Sequence, residues 1–240
     1  MPRFFADEPV ADFFEITGED AAHIMKSLRM RCGEMLILCH NEVDYHCKIT
    51  NFSKNSVQVQ LVSAQKCESE PHLKVTIFQG LPKGDKMDLI VQKAVEVGVN
   101  AIVPVFTSRC VSRPDEKSLQ KKVQRWQKIA LEAAKQSGRG CVPQIFSALN
   151  FKDAVSFAKS SDEIILFYEN DGEFLPETMK PNLNSVSIFI GPEGGFESSE
   201  VAEVKNSGGK VCSLGKRILR TETAAIVSVA LAIYESERPI

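Results

Sequence analysis

Ser187-Ile188-Phe189-Ile190-Gly191-Pro192-Glu193-Gly194-Gly195-Phe196 is an apolar run of β-formers that ends abruptly in a turn of glycine and proline. Such a run reads as a buried strand emptying into a tight loop. Glycine lets bare backbone approach a ligand, and Glu193 is the only charge in the loop. In open α/β sheets ligands sit beyond the carboxyl ends of strands, where this loop falls. About twenty residues on, Val211-Cys212-Ser213-Leu214-Gly215-Lys216-Arg217-Ile218-Leu219-Arg220-Thr221 repeats the strand-to-loop-to-helix pattern. The two loops can wall one pocket.

Outward from these loops the chain alternates strands and helices from Leu73 onward. Val75–Gln79 and Ala101–Phe106 read as strands. Between them Asp85–Val97 carries apolar residues at 87, 90, 91, 94 and 95, a helical spacing, with Gly98 as terminator. Leu119, Val123, Trp126, Ala130 and Ala133 mark one face of a long helix ending near Gly138. That spacing assigns Trp126 to the core rather than to a stacking platform. Further on, Phe151–Lys159 reads as a helix, Ile164–Tyr168 as a strand and Ser198–Ser207 as a helix. Thr221 is placed to cap a last helix running to about Ser236, apolar on most sides and therefore expected to be buried. This alternation predicts a parallel α/β sheet.

Residues 1–70 differ. Glu34–Cys39, Tyr45–Thr50 and the alternation around Val57, Val59 and Leu61 are closely spaced strand signals, which suggest a small β-barrel. Asp20–Leu28 reads as a short helix with Ala21, Ile24, Met25 and Leu28 on one side. Cys67–His72, polar and containing Pro71, reads as a linker. The predicted organisation is a barrel over 1–70 and an α/β domain over 73–240.

Composition narrows the function. A content of 43% apolar and 25% charged residues in 240 is that of an ordinary globular chain, large enough for one or two cores. There is no secretory signal and no apolar stretch long enough for a membrane, so the expected location is the cytoplasm. Seven cysteines without a Cys-x-x-Cys pair argue for free thiols, and neither they nor the four histidines form a metal-ligand pattern, so no metal is expected. The net charge of −2 hides a local excess: Arg109–Arg139 holds nine Lys/Arg against three acids. A patch of this kind, more than total charge, attracts phosphate, although a solvated helix face reads the same way. Neither glycine loop is a dinucleotide fingerprint. Gly80-Leu81-Pro82-Lys83-Gly84-Asp85-Lys86 fails as a phosphate loop, because Met87 follows Lys86 and the glycine spacing is wrong.

The ordered set of motifs resembles the RsmE family of the SPOUT class of RNA methyltransferases. It comprises Pro2-Arg3-Phe4, His23 to Arg31, Gly80 to Met87, Arg125-Trp126-Gln127-Lys128-Ile129, Ala133 to Arg139 and the two loops, and spans essentially the whole chain. The resemblance implies a PUA-like N-terminal barrel, a trefoil knot in the C-terminal domain and a homodimer. No periodicity argument reveals the knot. It implies methylation of N3 of uridine 1498 (usual bacterial numbering) of 16S rRNA in the assembled 30S subunit, with S-adenosylmethionine as donor. By the same resemblance the donor is held by Ile190, Gly191, Pro192, Gly194 and Gly195, by Leu214, Gly215, Ile218 and Leu219, and by a third wall of Phe167, Tyr168 and Glu169. Arg3, Arg29, Arg31, Lys83 and Lys86 are expected to face RNA, with Arg109, Arg113, Arg125 and Arg139 extending the track.

The chemistry sets its own demands. Methyl transfer is an in-line displacement needing the nucleophile about 3–3.5 Å from the methyl carbon. Uridine N3 must lose its proton first, at roughly 3–4 kcal/mol near neutrality if its pKa lies about two to three units higher. A base, or cations that stabilise the uridinate, must supply this. Arg220 and Arg217 are the candidate cations, with Arg220 at the substrate. Glu193 and Glu222 are candidate proton acceptors or orienters, Glu193 at the edge between donor and substrate, Glu222 otherwise a first-turn carboxylate favouring the helix dipole. A methyltransferase for another RNA site and a non-enzymatic RNA-binding assembly factor remain open alternatives.

Overall fold

The computed structural model describes residues 1–169, 172–175, 179 and 182–237. The chain divides into two units, Met1–Glu70 with Ala134–Val142, and Pro71–Ala133 with Pro143–Ile240.

In the first unit, β1 (Arg3–Phe5), β2 (Phe13–Thr17), β3 (Met35–His40), β4 (Val43–Phe52) and β5 (Ser56–Lys66) form one sheet in the order β1-β3-β4-β5-β2. Only β1–β3 is parallel. Register shifts in β4–β5 after His46 and after Ile49 mark irregularities of the kind that bend a strand and add twist. Period-two alternation sends Leu36, Leu38, Ile49, Val57 and Val59 inward, where they meet Phe4, Ile16 and Ile24.

The helix expected over Asp20–Leu28 is instead a short α1 (Gly18–Ala22) followed by a π-turn, His23–Ser27. Leu28 N donates to His23 O at 2.9 Å, closing an i→i+5 turn. The wider turn rotates Leu28 off the inward face and leaves it 41% exposed, while Ile24 stays buried.

The segment Cys67–His72 is more firmly held than a linker. Cys67 is buried. Glu70 accepts from Arg139 Nε and Nη2, both at 2.8 Å, and from Gly140 N at 2.7 Å. Arg3 forms a second buried fork with Asp44, at 2.6 and 2.5 Å. The seven cysteines are free. Burial, helped by Asp44, pushes the Cys39 thiol up to about 12.

The second unit holds the parallel sheet, built from β6 (Lys74–Gly80), β7 (Ala101–Phe106), β8 (Gln144–Ile145), β9 (Leu149–Asn150), β10 (Glu163–Phe167), β11 (Glu173–Phe174), β12 (Ser185–Ile190) and β13 (Lys210–Ser213). Its order is β11-β13-β10-β12-β6-β7-β8, with β9 also on β7. The central strands are covered on both faces, hence their unbroken apolar runs. Ile188 lies opposite Ile77 and Phe189 opposite Phe78, whose rings stack at 4.6 Å.

The helices are α2 (Lys86–Val97), α3 (Glu116–Ser137), α4 (Phe151–Ala158), α5 (Ser198–Asn206) and α6 (Thr221–Ser236). Trp126 is 3% exposed and donates its indole N–H to Asp88 at 3.0 Å, a core position as its spacing predicts. Helix α6 packs Ala225, Ser228, Val229 and Ala232 inward, against α2, β6 and β12. Contrary to expectation it is not buried all round: Leu231 is 39% and Tyr234 68% exposed. Among the described residues no helix is long and apolar enough to cross a membrane.

Candidate functional site

Strands β10, β12 and β13 end at Phe167, Ile190 and Ser213. They run parallel as neighbours, so their three following loops leave the same edge of the sheet. Those loops enclose a cavity of about 530 Å³. Its walls are Phe167, Tyr168 and Glu169; Ile190, Gly191, Pro192, Glu193, Gly194 and Gly195; and Leu214, Gly215, Arg217, Ile218, Leu219 and Arg220. Every residue assigned above to donor binding or to catalysis therefore faces one space, except Glu222, which lies in the first turn of α6 and is not part of the lining. Sequence reasoning missed Phe196, Ser213, Lys216, Thr221 and Ala224 as wall residues, and placed Lys86 with the RNA rather than here.

The glycine loop is braced from several sides. At its base, a Cβ on Gly80 would lie 2.5 Å from Pro192 Cδ and 2.7 Å from Pro192 N, so no larger residue fits there. Thr221 Oγ1 donates to Gly191 O at 2.6 Å. Arg109 Nη1 donates to Gly194 O and its Nε to Glu197 Oε1, both at 2.8 Å. Glu193 accepts from Lys86 Nζ at 2.6 Å and from Lys83 N at 3.0 Å. Burial works to raise the Glu193 carboxyl, but the hydrogen bonds from Lys86 and the backbone outweigh it and hold it below its ordinary value. A depressed, ion-paired carboxylate is a weak base, and of its two expected roles this geometry fits orientation better than proton acceptance. Arg217 and Arg220 are exposed on the opposite loop, and among the described residues their guanidinium groups make no hydrogen bond. They are cations at a cavity wall without a counter-ion among the described residues.

The cations expected to face RNA divide sharply. Arg29, Arg31 and Lys83 are exposed. Arg3 and Arg139 are not available: their side chains are 9% and 3% exposed and each is forked onto a carboxylate. A guanidinium so buried and paired links parts of the fold. Arg109 braces the glycine loop, Lys86 holds Glu193, and Arg125 is exposed but paired with Asp88. Lys135 pairs with Asp20 at 2.7 Å. The local excess over Arg109–Arg139 is thus largely spent on acids distant in sequence. Among the described residues Glu42, Glu70 and Cys141 bring ligand-type atoms within 4.8 Å of one another. Arg139 already occupies Glu70, and its charge opposes a cation there.

The chain matches the model of an RNA methyltransferase domain over residues 68–233 and that of an RNA methyltransferase PUA domain over 16–62. It is 36% identical over 235 residues to the ribosomal RNA small subunit methyltransferase E of Bacillus subtilis, covering 95% of this chain and 92% of that one. The crystal structure of a ribosomal RNA small subunit methyltransferase E from Neisseria gonorrhoeae, bound to S-adenosyl methionine, superposes with a TM-score of 0.86 at 29% identity, over 96% of each chain. A putative methyltransferase from Legionella pneumophila, also holding that cofactor, gives 0.84 at 29% identity, over 97% of this chain and 96% of that one. The architecture is therefore the SPOUT α/β fold preceded by a small PUA-like β-barrel. By this extent of similarity the chain belongs to the ribosomal RNA small subunit methyltransferase E (RsmE) family.

Proposed function

We propose that this protein methylates N3 of a single uridine of 16S rRNA, position 1498 in the usual bacterial numbering, with S-adenosylmethionine as donor and the assembled 30S subunit as substrate. The observation that carries this reading is the asymmetry of the cavity. One side is bare glycine backbone with apolar walls; the other presents Arg217 and Arg220, exposed and without hydrogen-bond partners among the described residues.

The residues fit the donor. The volume lies within the usual range for a small-molecule site, roughly 300–1,000 Å³. Ile190, Leu214 and Leu219 offer faces for an adenine, and the Gly191 and Gly215 backbones offer hydrogen-bonding groups for its edge. Gly215 has φ +97, and a Cβ there would meet nothing within 4 Å, so the space it faces is open. When bound, the donor supplies a methyl group on a positively charged sulfur. The chain's task is to seat the uracil and hold negative charge on O2 or O4 as N3 gives up its proton to solvent water. Arg220, the residue before α6, is our candidate for that seat, with Arg217 beside it. The Glu193 carboxylate orients Lys86 and the glycine loop rather than taking the proton.

The remaining features belong to the same proposal. The barrel over 1–70 would bind RNA, with Arg29 and Arg31 as exposed phosphate contacts, and 73–240 would transfer the methyl. The exposed Leu231 and Tyr234 on α6 support a homodimer. The trefoil knot is proposed for 73–240 on the family likeness alone.

Mass mapping of 16S rRNA from cells lacking the protein is expected to show one unmethylated uridine N3, restored on their 30S subunits by purified protein and donor. Restoration at another nucleotide would replace the target, and no donor binding by calorimetry would favour an assembly factor. The cradle itself is tested by Gly80→Ala. Overpacking against Pro192 costs about 1–3 kcal/mol, which is roughly 5- to 150-fold in donor affinity if the strain falls on the loop. Unchanged affinity would show that Pro192 can shift without harm.

A further inference from the structure

Gln79, the penultimate residue of β6, is fully buried in the middle of the sheet. Its Nε2 donates to Thr221 Oγ1 and to Gly80 O, both at 2.9 Å, and lies 3.4 Å from Gly191 O. Three oxygens surround one nitrogen, which fixes the amide's orientation. Turned over, its Oε1 would face two carbonyls. The same choice leaves Oε1 buried without a hydrogen-bond partner among the described residues. Leaving a buried acceptor unpaired is costly, so the tie on the nitrogen side has a use that offsets it.

The direction of the relay follows from the donors available. The Thr221 hydroxyl accepts from Gln79, and its single proton then goes to Gly191 O at 2.6 Å. Each bond polarises the next in a dry setting. Thr221 is read from sequence as the cap of the last helix, yet Arg220 holds the cap position and Thr221 is the first helical residue. Its side chain is therefore turned to the glycine loop.

We infer that Gln79 and Thr221 are positioning residues: they lock the Gly191 loop to the start of α6, and so set the spacing between the donor's seat and Arg220. This rests on the functional reading above, in which the first loop serves the donor and Arg220 the uracil. Neither residue needs to touch the reacting atoms. Gly191 O is fixed through Thr221, and Arg220 is the residue bonded to Thr221, so one hydroxyl holds both sides of the transfer.

The test compares wild type with Thr221→Val, which keeps the shape without the hydroxyl, Thr221→Ser, which restores it, and Gln79→Leu. Donor KM and kcat are measured on 30S subunits, amide hydrogen exchange on Gly191–Gly195 and Leu214–Arg220, and folding by thermal melting. T221V is expected to lose about 30- to 100-fold in kcat, as for an ångström of misplacement, with faster exchange in both loops and global melting retained. T221S is expected to recover to within about threefold of wild type, and T221V combined with Q79L to fall no further than the worse single variant. If T221V does not fold, Thr221→Ala carries the same readouts. Turnover within twofold of wild type with unaltered loop exchange, or a T221S as impaired as T221V, overturns the inference. The exchange arm needs neither RNA nor donor. Wild-type protein that leaves 30S subunits unmethylated would therefore count against the functional reading, while the tie is still judged on loop exchange.

Discussion

Replacing Arg220 with alanine is expected to lower turnover about 10²- to 10³-fold, the usual loss on removing one group that stabilises developing negative charge. Donor affinity is expected to stay within about threefold, because the backbone of the glycine loop and the apolar walls remain. Stability should change by no more than about 0.5 kcal/mol, since the Arg220 side chain is exposed and makes no hydrogen bond among the described residues. These three magnitudes together identify the role. A residue that merely ordered the loop would weaken donor binding and turnover alike. One that gripped RNA phosphate would raise the substrate KM and leave kcat standing. Steady-state kinetics on 30S subunits, donor calorimetry and a melting curve decide among them. A kcat within about threefold of wild type would remove Arg220 from the uracil seat and shift the assignment to Arg217, the other exposed arginine of that loop.

The contrast between what could and could not be read from the chain follows from the range of each interaction. The strand before Gly191 and the helix after Asp85 announce themselves locally, through an apolar run or a 3.6-residue spacing closed by glycine, and both elements form where expected. Conformation at a turn is likewise local, which is why the two loops were identifiable. Ion pairs are not. Arg109 meets Glu197 across 88 positions, Arg139 meets Glu70 across 69, and Arg3 meets Asp44 across 41. A linear charge count therefore treats as available several cations that the fold has already neutralised. The Gln79–Thr221 tie spans 142 positions and leaves only an ordinary helix-cap threonine in the sequence. The π-turn at His23–Ser27 failed for a different reason. Helical and π spacing share the same apolar residues over so short a segment, and only the hydrogen-bond partner of Leu28 separates them.

Glu70→Ala is expected to destabilise the first unit by about 3–5 kcal/mol, because it strands a buried guanidinium. The side chains of Arg139 and Glu70 are 3% and 5% exposed, and the carboxylate also accepts from the Gly140 and Cys141 amides. Exposed pairs such as Arg109–Glu197 should cost far less when broken, because solvent screens them, so the burial decides the ranking. In melting temperature, at roughly 4–8 °C per kcal/mol for a unit as small as Met1–Glu70 with Ala134–Val142, the loss corresponds to roughly 12–40 °C. A pH series supplies the sign. Burial pushes the Glu70 carboxyl up, but the Arg139 hydrogen bonds and charge, with the Gly140 N–H, outweigh it and hold it below 4.5. A depressed carboxylate contributes stability that is fully present above about 4.5, its unfolded value, and is lost as pH falls through its folded value. The gap between wild type and E70A should therefore be constant near neutrality and narrow below about pH 4.5. Replacing both partners with apolar residues, Glu70→Leu with Arg139→Met, is expected to recover much of the loss, because the penalty lies in the unpaired charge more than in the missing attraction. A gap indifferent to acid would mean that E70A acts through packing alone, and that the fork contributes nothing electrostatic to holding Ala134–Val142 with the barrel.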